Sequence, residues 1–356
     1  MKIALVCFSN LSGAPYIYQY INIIKKCNCD FDIIYWNRHN IDEKIDGVNT
    51  ICCDDCFLDD DSNKIKKLMK MYSYVKFVKK ILSDNSYDRV VIFTSVPAVL
   101  MNKYLIKYFK NRYIFDIRDH SYEHIKPYFK IMNKVVSNSA LNVISSEDFK
   151  EFLPKSDYVV CHNVDLSVKG TSEWVKSDNN KINISFIGQV RYANAYYDFL
   201  NSIKNHSRIK MNFYGFGSDV EAIQHFCKEN NINNVCFFGR YKPSEKETII
   251  KGTDIIFNIY GTNLHVKYAV SNKYYDSILF KKPLLVNKGT TMAKLSKGIA
   301  FEYSESFDVE EFLKWYDNLD CVKFSELCDE KIAMVKNDMK IFAEKVRQFL
   351  EDKNEI

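Results

Sequence analysis

Short apolar runs alternate with helical stretches along nearly the whole sequence, and these runs fall into two consecutive series. The series comprise residues 3–8, 31–36, 89–94, 113–117, 141–145 and 158–161, and then 182–187, 210–214, 235–238, 254–259, 283–286 and 299–301. Continuously apolar runs between polar turns are typical of parallel strands that helices cover on both faces. Because 356 residues exceed what one hydrophobic core usually holds, the pattern predicts two doubly wound α/β domains.

The polar segment 164–181 separates the two series and is interpreted as the linker. It divides the chain into a first domain at 1–165 and a second at 166–328. Apolar residues then recur at helical spacing, at Ile332, Val335, Met339, Phe342, Val346 and Phe349. We therefore expect a long amphipathic C-terminal helix within 329–356.

Charge and hydropathy exclude several classes of protein. Fifty basic and forty-five acidic side chains give a net charge of +5, which does not fit a disordered acidic tail, a collagen-like chain or a histone-like polycation. No apolar stretch is long enough to span a membrane, and the N-terminal apolar run is too short for a signal peptide. We expect a cytoplasmic protein without a nucleic-acid partner, whose membrane contacts are peripheral.

Residues 62–83 form the most asymmetric charge feature, with seven lysines and no acidic residue. Aromatic and aliphatic side chains are interleaved with these lysines. Such a helix can lie on an anionic membrane, with its aromatic rings at headgroup depth, and the segment 64–82 is the candidate contact. The alternative is a surface helix with one core-facing side and one solvated side.

Eleven cysteines, an odd number scattered along the chain, indicate reduced thiols. The densest group is Cys52, Cys53 and Cys56, in which one pair has the spacing of a zinc site. A zinc site needs a second pair of ligands, and no histidine pair stands nearby. Buried or idle thiols are therefore the expectation, and no metal site is predicted.

Several catalytic motifs are missing from the sequence, among them the Walker loop, HExxH and GxSxG. The motif Gly215-Phe216-Gly217 follows a predicted strand, but Val220 stands where a dinucleotide-binding fingerprint needs its third glycine. A classical dehydrogenase is therefore not expected. A glycine-rich turn after a strand still suits the close approach of a phosphate to backbone amides.

Five motifs of the second half occur in a characteristic order: 184–188 with Arg191, 213–217, 235–240, 269–276 and 281–286. Their succession resembles the nucleotide-sugar-binding domain of GT-B glycosyltransferases, in particular bacterial members of glycosyltransferase family 4 that build capsules, O-antigens and other surface glycans. In the first half, 161–165 resembles the hinge of that family and 113–119 its acceptor-facing strand and loop. The resemblance implies two Rossmann-like domains facing a cleft, with the C-terminal helix crossing back onto the first domain.

The resemblance also implies a donor site in the second half. Arg191 and Lys273 stand where the family's paired basic residues contact the diphosphate, whose growing charge needs cations when no metal is bound. Ser271 and Asn272 precede a helix whose N-terminal amides would face the phosphate. Asp276 matches a glutamate that binds ribose, although Lys273 and Asp276 could instead form a surface ion pair. The other donor-binding candidates are Gly13, Gly188, Gly215, Gly239, Arg240 and Tyr268.

Two positions depart from the family pattern. Tyr268 replaces the first glutamate of the two-glutamate motif, so that sugar recognition must come from elsewhere, with His265 and Lys267 as candidates. Residues 192–194 replace the lysine and glycine that usually follow the first arginine. Both departures affect the identity of the donor sugar more than they affect the fold.

The densest polar group of the first half follows a predicted strand and includes Asp116 and Arg118 as well as the catalytic candidates Asp119, His120 and Glu123. Loops at the carboxyl ends of parallel strands build the ligand crevice. His120 or Asp119 could therefore deprotonate or orient an acceptor hydroxyl. The alternative is a helix-capping aspartate beside a surface histidine.

Four further features have competing interpretations. The loop 9–14, which includes Gly13, either approaches donor and acceptor, as in the family, or is an ordinary strand-to-helix turn. Residues 30–32 spell the DxD motif of metal-dependent transferases but fit the polar start of a strand better. Residues 59–61 could bind a cation but are interpreted as a solvated helix start. His162 lies at the hinge and is interpreted as a backbone-positioning residue, not a catalytic one.

The predicted function is glycosyl transfer, of the hexosyltransferase type, from a nucleotide-diphosphate sugar to a hydroxyl of a lipid-linked surface glycan. Family resemblance implies retention at the anomeric carbon without a metal or other cofactor, on the inner face of the plasma membrane. Two alternatives remain, a nucleotide-sugar 2-epimerase of the same fold and a non-catalytic nucleotide-sugar-binding subunit.

Overall fold

The computed structural model describes residues 1–54, 57–58, 63–176 and 180–352. The chain divides into two compact units, Met1–Asn163 with Asn337–Ile356, and Val164–Lys336. Cys56 and the acidic residues 59–61, which the sequence offered as possible metal ligands, lie outside the described residues. The ten described cysteines are all free thiols.

The first unit is an alternation of strands and helices: β1 (Lys2–Cys7), α1 (Ile17–Lys26), β2 (Asp30–Trp36), β3 (Asn49–Cys53), α2 (Lys64–Asp84), β4 (Arg89–Phe93), α3 (Ser95–Leu100), α4 (Asn102–Tyr108), β5 (Tyr113–Ile117), α5 (Lys126–Asn138), β6 (Leu141–Ile144) and β7 (Val159–Val160). Its strands form one parallel sheet in the order β3-β2-β1-β4-β5-β6-β7. The order reverses between β1 and β4, which is the arrangement of a doubly wound sheet.

The second unit repeats this alternation: β8 (Ile182–Gln189), α6 (Tyr197–Ser202), β9 (Ile209–Phe216), α7 (Val220–Glu229), β10 (Val235–Gly239), α8 (Lys246–Lys251), β11 (Ile255–Asn258), α9 (Leu264–Lys267), α10 (Asn272–Phe280), β12 (Leu284–Asn287), α11 (Thr291–Leu295), β13 (Ala300–Tyr303), α12 (Val309–Asp317) and the start of α13 (Cys321–Glu351). Its six parallel strands have the order β10-β9-β8-β11-β12-β13 and reverse between β8 and β11. The prediction of two doubly wound α/β domains is confirmed.

The sequence missed β3, and it placed the start of α13 eight residues too late. β3 is an edge strand and only Cys53 in it is buried, so it needs no continuous apolar run. α13 begins at Cys321 because the Asp320 carboxylate accepts a hydrogen bond from the backbone N–H of Lys323 at 2.9 Å, which caps the first turn. Phe324 and Cys328 then face the interior of the second unit.

The second half of α13 completes the core of the first unit. Phe342, Val346 and Phe349 pack in one cluster with residues of β1, β2 and α1. The ring of Phe342 meets Tyr20 edge to face at 5.1 Å. His162 holds the same part of the helix, because its Nε2 lies 3.0 Å from the Asp338 carboxylate, and its contacts are structural.

The DxD spelling at 30–32 begins β2, in agreement with the sequence interpretation. Asp32 is buried, and its carboxylate accepts hydrogen bonds from Tyr87 at 2.6 Å and Asn49 at 2.7 Å and pairs with Lys2 at 2.8 Å. These contacts hold the pKa of Asp32 below its usual value although burial raises it. Asp32 is thus part of the sheet's own packing.

Candidate functional site

A pocket of about 300 Å³ lies in the second unit, at the carboxyl ends of β8, β11 and β12. These strands are neighbours, and the strand order reverses between β8 and β11. Ligands of doubly wound sheets bind outside the carboxyl ends of the strands at such a reversal. The position of this pocket makes it the candidate site of the second unit.

The last residue of each of these three strands carries a side-chain amide and lines the pocket. We call Gln189, Asn258 and Asn287 the carboxamide row. The Asn287 oxygen accepts hydrogen bonds from the backbone N–H groups of Tyr260 at 2.8 Å and Gly261 at 2.9 Å, which fixes the loop after β11. None of these three residues was among the predicted site residues, since a polar amide at a strand end is interpreted as a turn signal.

Lys273 lies on α10 beside this pocket and is only 4% exposed. Its Nζ donates a hydrogen bond to the hydroxyl of Tyr260, a residue of the pocket wall, and lies 4.1 Å from the centroid of the Phe186 ring. The same Nζ is close to Gly188, where a Cβ atom would be 3.8 Å away. A buried ammonium among a phenol and aromatic faces suits an anionic ligand, because a buried charge is costly unless it is paired.

Asp276, one turn further along α10, is buried and pairs with Lys246 of α8 at 2.7 Å. Burial raises the pKa of Asp276, while Lys246 and Lys273 oppose the rise. The alternative of a surface ion pair between Lys273 and Asp276 is wrong, because both side chains are buried. Asp276 is not among the described residues that line the pocket.

The N-terminus of α10 is at the pocket. Ser271 lines the pocket and caps the helix, since its hydroxyl oxygen accepts a hydrogen bond from the backbone N–H of Lys273 at 3.3 Å. Asn272 is exposed in the first turn. The partial positive charge of a helix N-terminus favours anions here.

Arg191 and Tyr192 form an exposed part of the pocket wall. Tyr192 has a left-handed backbone with φ of 65°, a conformation that non-glycine residues adopt mainly where the surroundings impose it. Asp219 imposes it by accepting a hydrogen bond from the backbone N–H of Ala193 at 2.8 Å, and the Tyr196 hydroxyl donates to the Arg191 carbonyl. This turn contains residues 192–194, where the resemblance found in the sequence leads us to expect a lysine and a glycine.

The glycines after β8 and β9 have a packing role. Gly188 and Gly215 are opposite each other in the β8–β9 register, with φ of 130° and 142°. A Cβ atom on Gly215 would lie well under 3.0 Å from the Gly188 carbonyl oxygen, and one on Gly217 would similarly clash with Val190. The neighbouring strand by itself already requires glycine at position 215, independently of any approach of a phosphate.

Gly239 is the last residue of β10 and Arg240 follows it, and neither is among the described residues that line the pocket. The Arg240 guanidinium lies 3.4 Å from the centroid of the exposed Phe216 ring. Beside it, Phe238 stacks on Tyr214 at 4.4 Å. Gly239 has φ of 72° with open space around it. The ends of β9 and β10 thus present flat aromatic faces and a guanidinium.

Tyr268, His265 and Lys267 are in or directly after the short helix α9. The Lys267 ammonium lies 5.1 Å from the centroid of the Tyr268 ring, and His265 is exposed. Val266 and Ala269, their neighbours in sequence, line the pocket, whereas none of the three is among the described lining residues. The carboxamide row lines the pocket, whereas His265 and Lys267 are not among its described lining residues.

In the first unit, the loop after β1 lies at the reversal between β1 and β4 and holds a carboxylate of its own chain. The Glu43 carboxylate accepts hydrogen bonds from the backbone N–H groups of Leu11 at 2.7 Å and Ser12 at 3.0 Å and from the Asn10 amide at 3.1 Å. Burial raises the pKa of Glu43, but these hydrogen bonds hold it below its usual value. The loop amides near Gly13, expected to face donor and acceptor, are therefore occupied by Glu43, which the sequence did not point to.

Asp116 and Arg118 point into the core of the first unit and contact each other. The Tyr20 hydroxyl donates to Asp116 at 2.6 Å, and Arg118 donates to the Cys161 carbonyl at 2.9 Å. Burial raises the pKa of Asp116, against the effect of Arg118. These two members of the predicted polar group are structural.

The three catalytic candidates lie in the loop between β5 and α5. Asp119 is exposed, whereas His120 is buried with its ring 4.9 Å from Phe152. Glu123 is buried too, with one oxygen accepting from the Ser121 N–H and the other without a hydrogen-bond partner among the described residues. The alternative of a surface histidine is wrong, since His120 is enclosed.

Thr94, at the end of β4, is a further residue that the sequence did not indicate. Its backbone has φ of 68°, a strained conformation for a β-branched residue. The Ser95 hydroxyl that follows accepts a hydrogen bond from Tyr128 at 2.8 Å. Strained residues at the carboxyl edge of a sheet are frequent at functional sites.

No protein-family profile and no curated protein matches the chain. Solved structures match it over nearly its whole length. The lipopolysaccharide outer core galactosyltransferase WaaB is 11% identical with a TM-score of 0.63, covering 99% of this chain and 100% of that one. Sucrose-phosphate synthase from Thermosynechococcus elongatus is 10% identical with a TM-score of 0.71, covering 98% and 99%. Anabaena HepE in complex with UDP and glucose is 13% identical with a TM-score of 0.65, covering 98% and 99%.

These enzymes share the GT-B architecture of two doubly wound domains. Two parallel sheets of seven and six strands, each with a reversal of strand order, form the same arrangement here. The likeness extends over both units and α13. The chain therefore has the GT-B fold.

Proposed function

We propose that the protein is a glycosyltransferase that uses a nucleotide-diphosphate sugar. The observation that carries the proposal is the buried Lys273 ammonium beside a pocket at the strand reversal of the second unit. A diphosphate that leaves the anomeric carbon takes the electron pair of the glycosidic bond and gains negative charge. Lys273, Arg191 and the N-terminal amides of α10 would stabilise that charge without moving.

The finer proposal is a retaining hexosyltransferase that needs no metal and acts on a lipid-linked surface glycan in bacteria. The resemblance of the motif order to family 4 enzymes supports it, as does the similar fold of WaaB, a lipopolysaccharide core enzyme by name. In the first unit, we assign His120 and Glu123 to the acceptor hydroxyl, with Asp119 at the exposed rim of their loop. The unpartnered Glu123 oxygen supports this assignment, since a hydroxyl could satisfy it.

Incubation with a panel of nucleotide sugars tests the proposal. We expect UDP-, GDP- or dTDP-linked sugars to raise the thermal midpoint and the cognate one to be consumed only when a glycolipid acceptor is present. Consumption without acceptor would instead identify an epimerase. Stabilisation without turnover, on any acceptor, would identify a binding subunit. Neither stabilisation nor turnover with the whole panel would contradict the proposal.

We further propose that α2 rests on an anionic membrane surface, which would bring the protein to a lipid-linked acceptor on the cytoplasmic side. Four apolar residues of its first half form one exposed stripe: Ile65 at 72%, Leu68 at 61%, Met69 at 66% and Tyr72 at 66%. In its second half, Tyr74, Val78 and Leu82 are buried against the first unit. An exposed apolar stripe on a lysine-rich helix is typical of interfacial helices. Among the described residues, no helix has the length and hydropathy to span a membrane.

Replacing the four residues of the stripe with serine should weaken binding to phosphatidylglycerol-containing vesicles by about tenfold or more, because the apolar area available for insertion is lost. Co-sedimentation with vesicles measures this. The matched control replaces Val322 and Met334, which are 69% and 67% exposed on α13, and should bind like wild type. Equal binding by the stripe variant and the control would rule out the membrane face.

A further inference from the structure

We infer that Asn258 is the residue that distinguishes the sugar of the donor, by hydrogen bonding of its side-chain amide to a sugar hydroxyl or acetamido group. The inference rests on the proposed function and assigns a specificity-determining residue to the same pocket. It answers the question raised by Tyr268, namely which group replaces the missing glutamate.

Asn258 differs from the rest of the carboxamide row. Gln189 is exposed, and the Asn287 oxygen is already engaged by two backbone N–H groups. Asn258 is 4% exposed, and its oxygen, shielded from solvent, has no hydrogen-bond partner among the described residues. An amide whose oxygen is not held can turn about its Cβ–Cγ bond and present either oxygen or NH₂ to a ligand.

The charge of the pocket explains why an amide suits this position. Arg191 is the one charged side chain among the described residues that line the pocket, and the Lys273 ammonium contacts the hydroxyl of Tyr260 in the pocket wall. A carboxylate so close to a diphosphate would repel it, whereas a neutral amide can hydrogen-bond to hydroxyl groups without that repulsion. Asn258 is the last residue of β11, beside the strand reversal, and it lines the pocket.

The Asn258 oxygen, unpartnered among the described residues, lowers the stability of the ligand-free protein. A buried polar atom without a partner destabilises a protein, because the hydrogen bonds that it makes to water in the unfolded chain are not replaced. Replacing Asn258 with leucine, which has a similar volume, removes that group together with the proposed sugar contact. Asn258→Leu should therefore weaken sugar binding without lowering the stability of the protein. If the asparagine were purely structural, its replacement would lower stability instead.

Asn212 provides a matched control within the same sheet. It lies on β9, is also 4% exposed, and its oxygen likewise has no partner among the described residues. Unlike Asn258, it is not among the described residues of the pocket wall. Asn212→Leu thus repeats the chemical change away from the proposed ligand.

The experiment measures dissociation constants by calorimetry for UDP, UDP-glucose, UDP-N-acetylglucosamine, GDP and GDP-mannose. We expect Asn258→Leu to raise the Kd of the nucleotide sugar that wild type binds by about tenfold or more, since a buried hydrogen bond is lost. The Kd of the matching nucleoside diphosphate should stay within about twofold, and the thermal midpoint should not fall. Asn212→Leu should leave both constants unchanged. Asn258→Ala, which cannot overfill the site, should repeat the loss of sugar affinity.

The outcomes separate this inference from the proposed function. If wild type binds both ligands but Asn258→Leu and Asn258→Ala change neither constant, or change both equally, Asn258 does not read the sugar and the transferase proposal stands. If wild type binds no nucleoside diphosphate and no nucleotide sugar, the proposed function fails and this inference fails with it.

Discussion

Lys273→Met is expected to lower the turnover of nucleotide sugar by about 10²–10³-fold, the loss seen when one stabilising donor is removed from a charged transition state. Methionine keeps most of the side chain's length and volume while removing the ammonium. Because the buried charge is not paired with a carboxylate at ion-pair distance among the described residues, the fold loses little, and the thermal midpoint should stay the same or rise.

The rate of nucleotide release, followed together with the thermal midpoint, tests this expectation. Lys267→Met is the control, since Lys267 lies on the neighbouring helix α9 and contacts Tyr268 outside the pocket wall. It should keep wild-type turnover, and a large loss there would restore Lys267 as a sugar-binding candidate. Full activity in a folded Lys273→Met protein would show that the ammonium has no part in transfer.

Gly215→Ala should destabilise the second unit by about 4 kcal/mol or more, which is the exceptional range for a single substitution. The backbone there has φ of 142°, which L side chains rarely adopt, and the added Cβ would run into the Gly188 carbonyl. β8 and β9 would have to separate at the register that carries both glycines. A carbonyl on a packed backbone cannot move aside as a flexible side chain can.

Gly239→Ala is the matched control for this substitution. Gly239 also has a positive φ, of 72°, but nothing lies within 4 Å of the position of its Cβ. Its cost should be limited to the backbone conformation, about 1 kcal/mol. Thermal and urea unfolding of the two variants measure the difference, and equal midpoints would contradict the packing role of Gly215.

The sheets could be predicted from the sequence because strands covered on both faces must be apolar along their whole length. β3 (Asn49–Cys53) was missed because it is an edge strand, and an edge strand need not be apolar along its whole length. The polar group after β5 shows a second limit. In the sequence, Asp116 and Arg118 look like site residues. In the structure, Asp116 lies on β5 and Arg118 directly follows it, and their side chains contact Tyr20 and the Cys161 carbonyl in the core.

The candidate site was less predictable because its groups come from distant segments. Gly215 suggests a phosphate loop until the neighbouring strand is known. Asn258 and Asn287 become a row only when β11 and β12 are adjacent, and Glu43 meets its loop across more than thirty residues of chain. The residue type at one position does not predict such long-range contacts. Lys273 could be predicted because it belongs to a recognisable sequence motif.

The membership of α13 in both units has a consequence for biosynthesis. Phe342, Val346 and Phe349 fill the core of the first unit, but the ribosome makes them only after the whole second unit. At about 5–20 residues per second, synthesis of that unit takes on the order of ten seconds or more. During this interval the nascent first unit would expose the apolar side of α1 and β1, which chaperones could bind. This surface would be covered only when translation reaches the end of α13.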